Sequence, residues 1–328
     1  MSAPQAPFSV EQALLGPVRW RASHAVVALG VLSLPLWLGS HALLANEIAI
    51  VALFAVSLDL VLGYSGIVTL GHAAFFGFGA YSAALFAKHL HPDPLLGLAV
   101  GGLSALLLGA VCALSILRGS DLTRLMVTLA TSFILLEGAN KWDELTGGAD
   151  GLQGVIMGPL LGRFEFDLYG QVAAAYSLTV LTGVVLVLRR VVHAPLGLTW
   201  QALRDNPLRA QAVGVSVHRE LARVYTLAAG IAGLAGALMA QTTGFASLDV
   251  FAFERSADVM LMLVIGGVGW LYGGVAGAVV FKIIQDQLSA VTPQYWMFWI
   301  GLLLVILVLV GRDRLLRPLR WGRGGTPS

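Results

Sequence analysis

A chain of 328 residues that is 57% hydrophobic and 12% charged, with mean hydropathy +0.82, has too little polar surface to clothe a soluble globule. An integral membrane protein is expected. The net charge of +2 says little by itself, no nucleic-acid partner is expected, and the lone Cys112 leaves no disulfide framework or cysteine metal site.

Residues 1–24 do not have the form of a cleavable signal, because Arg19 and Arg21 follow a polar lead and more spans come after. A crossing helix needs about 20 apolar residues, fewer where it is broken and shielded by protein. Such segments are predicted at 25–43, 46–63, 66–87, 95–117, 122–140, 168–188, 221–243, 257–269, 272–288 and 294–311. The fold class expected is all-α, a polytopic integral membrane protein of about ten transmembrane or re-entrant helices. Its parts are an N-terminal segment 1–24, a membrane domain 25–311 with a polar loop at 189–220, and a tail 312–328.

Arginines fix the orientation. Arg19 and Arg21 precede the first span, Arg118 and Arg124 flank the fourth connection, Arg189 to Arg223 crowd the polar loop, and Arg312 to Arg323 follow the last span. Placing these in the cytoplasm puts fifteen of the twenty basic residues inside, with both termini cytoplasmic. The connections holding Lys88, Lys141, Arg163 and Arg255 are diluted by carboxylates such as Asp93, Asp150, Asp249 and Glu254, and are expected outside. One long helix over 257–288 would turn the arginine-rich tail outward. A split at Gly266-Gly267-Val268-Gly269 and Gly273-Gly274 restores it, so two short helices are predicted there.

In chain order, the first chemistry is Asp59 and His72, flanking the glycine-rich stretch 63–81. A charge at membrane depth costs several kcal/mol unless paired or wetted, so both are candidates for function. His72 can equally donate to a carbonyl freed by Gly71, and Asp59 can cap the following broken helix or pair with His72. Phe75, Phe76, Phe78 and Tyr81 either face a path or pack. Ala73–Gly77, Gly79–Ala83, Ala232–Gly236–Ala240 and Gly273–Gly277 have the spacing of tight helix packing. TGGADGL (146–152) is an outer loop of turn formers. The candidate substrate-path residues are thus Asp59, His72, Phe75, Phe76, Tyr81, Gly266 and Gly267.

The segment 197–215, GLTWQALRDNPLRAQAVGV, is a basic island far longer than a connection between membrane helices requires. Thr199 can cap a short turn through Ala202 and Leu203. Asn206 before Pro207 breaks that turn, Pro207 can open a helix over Leu208–Val213, and Gly214 sits where a left-handed residue is wanted. The result would be two stubby surface helices, with Arg204, Asp205, Arg209 and Gln211 exposed beside Ala202, Ala210 and Ala212. A solvated loop is the plain alternative. Further on, Asp258 with Gly266, Gly269 and Gly273 loosely echoes Asp59 with Gly63, Gly66 and Gly71, which fits either an internal repeat or a glycine-rich composition. Lys282 and Asp286 are spaced to pair on one helix face, and Tyr295, Trp296 and Trp299 have the character of interfacial anchors. The sequence has no GxxxxGK[ST], HExxH or GxSxG string, and its seven histidines lack ligand spacing.

Four stretches, in order, resemble the permease subunits of ABC importers for branched-chain amino acids, of the LivM-like type. These are DLVLGYSGIVTLGHAAFFGFGAYSAAL (59–85), TGGADGL (146–152), ALRDNPLRAQAVGV (202–215) and LMLVIGGVGWLYGGVAGAVVF (261–281), and the likeness extends over 45–312. Ile67 stands where glutamine is common in that family, and Gln211 where glutamate is. The resemblance implies a bacterial inner-membrane permease domain whose island is a coupling loop, made by Ala202, Arg204, Asp205, Asn206, Pro207, Arg209, Gln211 and Gly214. It implies a homologous LivH-like permease, two ATP-binding subunits and a periplasmic or lipid-anchored binding protein as partners, with lipid around them. No cofactor or metal is expected in this chain, since ATP would be bound by partners. Urea and short-amide importers share the architecture, and a self-sufficient ion-coupled carrier or an intramembrane enzyme are the readings from other classes.

Overall fold

The computed structural model describes residues 39–116, 119, 121–167, 169–291, 293–295, 298–299, 301–302 and 305. The expected spans at 25–43 and 294–311 fall largely outside them, as do both terminal segments and Trp296.

The described chain is helical. Helix α1 (Ala42–Asp59) continues through one π turn (Leu60–Tyr64), and after irregular backbone α2 runs Ala73–His89. There follow α3 (Pro94–Ile116), α4 (Asp121–Lys141) and the single turn α5 (Asp143–Thr146). Then come α6 (Gln171–His193), α7 (Pro195–Asp205), α8 (Pro207–Ala212), α9 (Val217–Thr243), α10 (Phe253–Gly266) and α11 (Gly273–Val291). Among the described residues, six segments are long and apolar enough to cross a membrane: Ala42–Tyr64, Pro94–Ser115, Asp121–Lys141, Gln171–His193, Val217–Thr243 and Gly273–Val291. Helices α2 and α10, of 17 and 14 residues, are shorter because each adjoins a glycine break. The expected span 66–87 is therefore helical only from Ala73. The expected division of 257–288 is present, with α11 folding back on α10 so that Gly273 meets Gly266 and Gly277 meets Met262.

Helix α9 is the centre, packed against α1, α2 and α3. Small residues make this possible. Gly233 lies against Ala105 and Gly101, Ala229 against Gly109, and Gly79 against the Gly233 backbone, where a methyl group would have no room. With no hydrophobic drive between helices in lipid, such close approach and interhelical hydrogen bonds supply the cohesion. The small-xxx-small pairs thus join helices of one chain. Polar ties fix one end of the bundle: Ser177 Oγ donates to Asn46 Oδ1 (2.6 Å), Asn46 Nδ2 to Thr242 Oγ1 (3.1 Å), and Gln241 Nε2 to the Pro94 carbonyl (2.8 Å). Leu103, Leu107, Val111 and Leu114 make an outward row on α3, as a lipid-facing stripe would.

The loop 146–152 is pinned rather than free, because Leu152 and Ala246 exchange backbone hydrogen bonds (2.8 and 3.2 Å). Lys282 does not pair with Asp286. Its ammonium reaches across to Glu47 on α1 (3.1 Å), because α11 turns that face toward α1.

Candidate functional site

The island is two surface helices. Pro195 opens α7 at its first turn, and Trp200 and Leu203 bury its inner face. Thr199 lies within α7 and donates to the Pro195 carbonyl (2.8 Å), so it is not a cap; the helix starts earlier because Pro195 supplies the better first position. Asn206 is extended (φ −160°, ψ 98°), as a residue before proline prefers, and its Oδ1 accepts the Arg209 N–H (3.0 Å). Helix α8 closes in a Schellman motif: Val215 N–H reaches the Ala210 carbonyl (3.1 Å), Gly214 N–H reaches Gln211 (2.9 Å), and Gly214 takes φ +95°.

Ala202, Asp205, Pro207, Arg209, Gln211 and Ala212 face outward, whereas Ala210 turns inward and is buried. Leu208 (77% exposed) and Val213 (85% exposed) stand among them, which the sequence alone did not single out. Apolar residues are ordinarily assigned to a core, and only their place on a two-turn surface helix reveals them. A notch of about 410 Å³ runs beside α8, between Leu208, Gln211 and the start of α9. Exposed leucine and valine ringed by arginine, aspartate and glutamine have the composition of a docking patch.

Arg204 is exposed as expected, with 41% of its side chain accessible, yet its Nη1 reaches back to donate to the Gly63 carbonyl (2.5 Å) and its stem covers Gly66. The same guanidinium lies beside Gly269 and touches Asp205 (3.4 Å). Asp59, fully buried, accepts the Gly269 N–H with Oδ1 (2.8 Å) and has Arg204 as its basic neighbour. Gly63 approaches Gly269 so closely that a Cβ would lie 2.5 Å from the Gly269 nitrogen. The two glycine breaks, distant in sequence, therefore meet, and one acid and one base staple them to each other and to the island. Irregular backbone inside a membrane must be satisfied by protein, and these side chains do so, together with Ser132 Oγ, which donates to the Gly71 carbonyl (3.2 Å).

The other candidates scatter. His72, fully buried, has Nε2 against Ser57 Oγ (2.9 Å) and stacks on Phe54 (centroids 5.5 Å), so its partner is neither Asp59 nor a freed carbonyl. Phe75 packs edge-on against Tyr225 (5.5 Å), and Tyr81 stacks on Phe251 (5.4 Å). Phe76 leans on Phe54 (4.7 Å) and lines a cavity of about 360 Å³ between α1, α2 and the α10–α11 hairpin. Gly266 and Gly267 form the α10–α11 turn, with Gly267 at φ +108°. Among the described residues no group of three or more His, Cys, Asp or Glu side chains is placed to hold a metal ion.

Fold and site together define a polytopic helical membrane protein in which a surface helix pair is tied directly to paired breaks in the membrane helices. The chain belongs to the family described as Branched-chain amino acid transport system / permease component, whose model matches residues 41–308. It is 27% identical over 278 residues to the high-affinity branched-chain amino acid transport system permease protein LivM of Escherichia coli (strain K12), covering 78% of this chain and 65% of that one. The LivM protein of Salmonella typhimurium (strain LT2) is also 27% identical, over 287 residues, 81% of this chain and 67% of the relative. The chain thus spans about two thirds of the length of these curated relatives. No solved structure matches it significantly.

Proposed function

We propose that this chain is the membrane-spanning permease subunit of an ABC importer for branched-chain or related neutral amino acids. Separate ATPase subunits dock on 197–215 and supply the work; the chain itself hydrolyses nothing and needs no cofactor. Its partners are a homologous LivH-like permease, two ATP-binding subunits and an external binding protein, in a bacterial inner membrane with both termini cytoplasmic. The observation that carries this reading is Arg204, which joins an exposed docking patch to the Gly63 carbonyl at a break in the membrane helices. A push on α7 and α8 is thereby delivered to the breaks next to Asp59 rather than absorbed by a loop.

The test is cross-linking with the assembled transporter. Single cysteines at Gln211 and Val213, in a Cys112→Ser background, are expected to capture a nucleotide-hydrolysing subunit and to be labelled from the cytoplasmic side only. Labelling of both positions from outside would end the proposal. Reconstituted uptake of urea but not of leucine would move the chain to the amide-importer branch.

A further inference from the structure

At the end of the bundle away from the island, the chain between Leu152 and α6 presents apolar side chains that its own fold leaves largely uncovered. Ile156 is 79% exposed and Leu161 68%, and Phe164 is exposed as well. Leu161 and Phe164 belong to a tight hairpin, in which Leu160 N–H donates to the Phe164 carbonyl (2.7 Å) and Phe164 N–H to the Leu160 carbonyl (3.1 Å). Leu161, at the tip, has φ +55°. It is alone among the described non-glycine residues in that left-handed region, which leucine rarely adopts. A strained, exposed leucine gains little from its own fold, and the outlier asks for a contact from outside.

The height of the hairpin in the bundle names that contact. Its stem is fixed by Gly158 N–H, which donates to the Pro92 carbonyl (2.8 Å), and by Phe166, which packs on Tyr176 of α6 (6.3 Å). Tyr176 in turn donates to the Pro94 carbonyl (3.2 Å), so the hairpin and the starts of α3 and α6 form one corner. Helix α3 has 23 residues, about 34 Å of rise against about 30 Å of hydrocarbon in a bilayer. Its two ends therefore stand at the two membrane boundaries, and Pro92 places the hairpin in the boundary layer. The outward row on α3 reaches the same corner through Leu96, exposed and seven positions before Leu103 on that face. The hairpin thus continues a lipid-facing stripe.

The charges agree. Arg163 stands exposed between Leu161 and Phe164, without an ion pair among the described residues. Asp167 is occupied by the N–H groups of Gln171 (3.3 Å) and Val172 (3.1 Å), and Glu165 follows outside the turn. Two apolar side chains with a long cation between them suit the headgroup layer, where the apolar part enters and the charge reaches a phosphate. A protein partner would need a matching apolar patch at that depth, whereas lipid is already there.

We propose that the hairpin closed by Leu160 and Phe164 is a membrane-interface anchor. Leu161 and Phe164, with Ile156 of the same loop, enter the boundary between headgroups and acyl chains, and Arg163 holds a lipid phosphate. The anchor needs neither ATP nor substrate, so it stands or falls apart from the importer reading.

The experiment places the complete transporter in proteoliposomes, with a single bimane-labelled cysteine at Ile156, Leu161 or Gln153 in a Cys112→Ser background. Gln153 is the exposed reference on the same loop, and the label at Ile156 leaves the hairpin's own sequence intact. Lipids brominated high on the acyl chain are expected to quench the labels at Ile156 and Leu161 at least about twofold more than the label at Gln153. Lipids brominated near the chain end should quench them less. With the label at Ile156, Leu161→Asp combined with Phe164→Asp should bring quenching down to the reference level, and Arg163→Glu should lower it where Arg163→Lys does not. Quenching at Ile156 and Leu161 no greater than at Gln153 would overturn the proposal. A label whose emission is shifted to the blue but which neither lipid quenches would also overturn it, because a protein surface then covers the hairpin.

Discussion

Arg204 separates two jobs that a basic residue on a surface helix can do. Arg209 faces outward, and Arg204's own contact with Asp205 (3.4 Å) is an exposed ion pair that contributes about 1 kcal/mol or less. Arg204 also gives a charge-assisted hydrogen bond to a carbonyl that the helix break has released. Removing one partner of such a bond costs about 1–3 kcal/mol, because the buried carbonyl is left without a donor. Arg204→Ala is therefore expected to leave the chain inserted and assembled while lowering uptake per ATP hydrolysed at least about tenfold, measured as the ratio of leucine uptake to phosphate release in proteoliposomes. Arg209→Ala, on the outer face, should weaken subunit association and leave that ratio unchanged once the complex is formed. Equal ratios for Arg204→Ala and the parent would show that Arg204 transmits nothing. Asp59 belongs to the same staple but bonds through a single oxygen to Gly269 N–H, so Asp59→Asn keeps the acceptor and should be the milder change beside Asp59→Ala.

At the scale of elements, the island was readable because its punctuation is local. Asn206-Pro207 forces the break, and Gly214 ends α8 with the two backbone bonds of a Schellman motif. A β-branched residue at φ +95° is strained by about 1–2 kcal/mol, so Gly214→Val is expected to loosen α8 and uncouple hydrolysis from uptake. Proteolysis of the assembled complex checks this, with the variant cut within 207–215 faster than the parent. The glycine breaks were legible one at a time, since runs of glycine in apolar sequence are conspicuous. Their meeting was not, because nothing in residues 59–71 names Gly269 as the partner of Asp59, 210 positions away. Lys282 shows the same limit: an i,i+4 carboxylate was the obvious partner on its own helix, and the observed one, Glu47, lies on another. Thr199 and Ala210 were misplaced for a smaller reason, one turn of uncertainty in where α7 begins and which way α8 is rotated. Periodicity finds helices; the contacts that give them a function depend on how they are turned about their axes.

Across the whole molecule, α1 and α10 each connect the two ends of the system. Near the cavity α1 presents Val51 and Phe54 and α10 presents Asp258 and Met262; beyond the other ends of the same helices stand Gly63 and Gly269, held by Arg204 and Asp59. Helices are stiff along their axes, so under the proposed importer reading a shift delivered by the island at one end is expected to be felt at the cavity at the other. The α11 face closes the cavity, and its link to α1 at the rim is the Lys282–Glu47 pair. If ATP-driven movement of the island opens and closes the cavity, α1 and α11 must separate there during each cycle. Cysteines replacing Glu47 and Lys282, in the Cys112→Ser background, can be bridged by a short reversible bis-thiosulfonate reagent. Bridging is expected to abolish most leucine uptake while ATP hydrolysis continues, and reduction should restore uptake; the uncrosslinked double variant serves as the reference. Undiminished uptake by the bridged protein would place the moving boundary elsewhere and leave α1 and α11 as one rigid body.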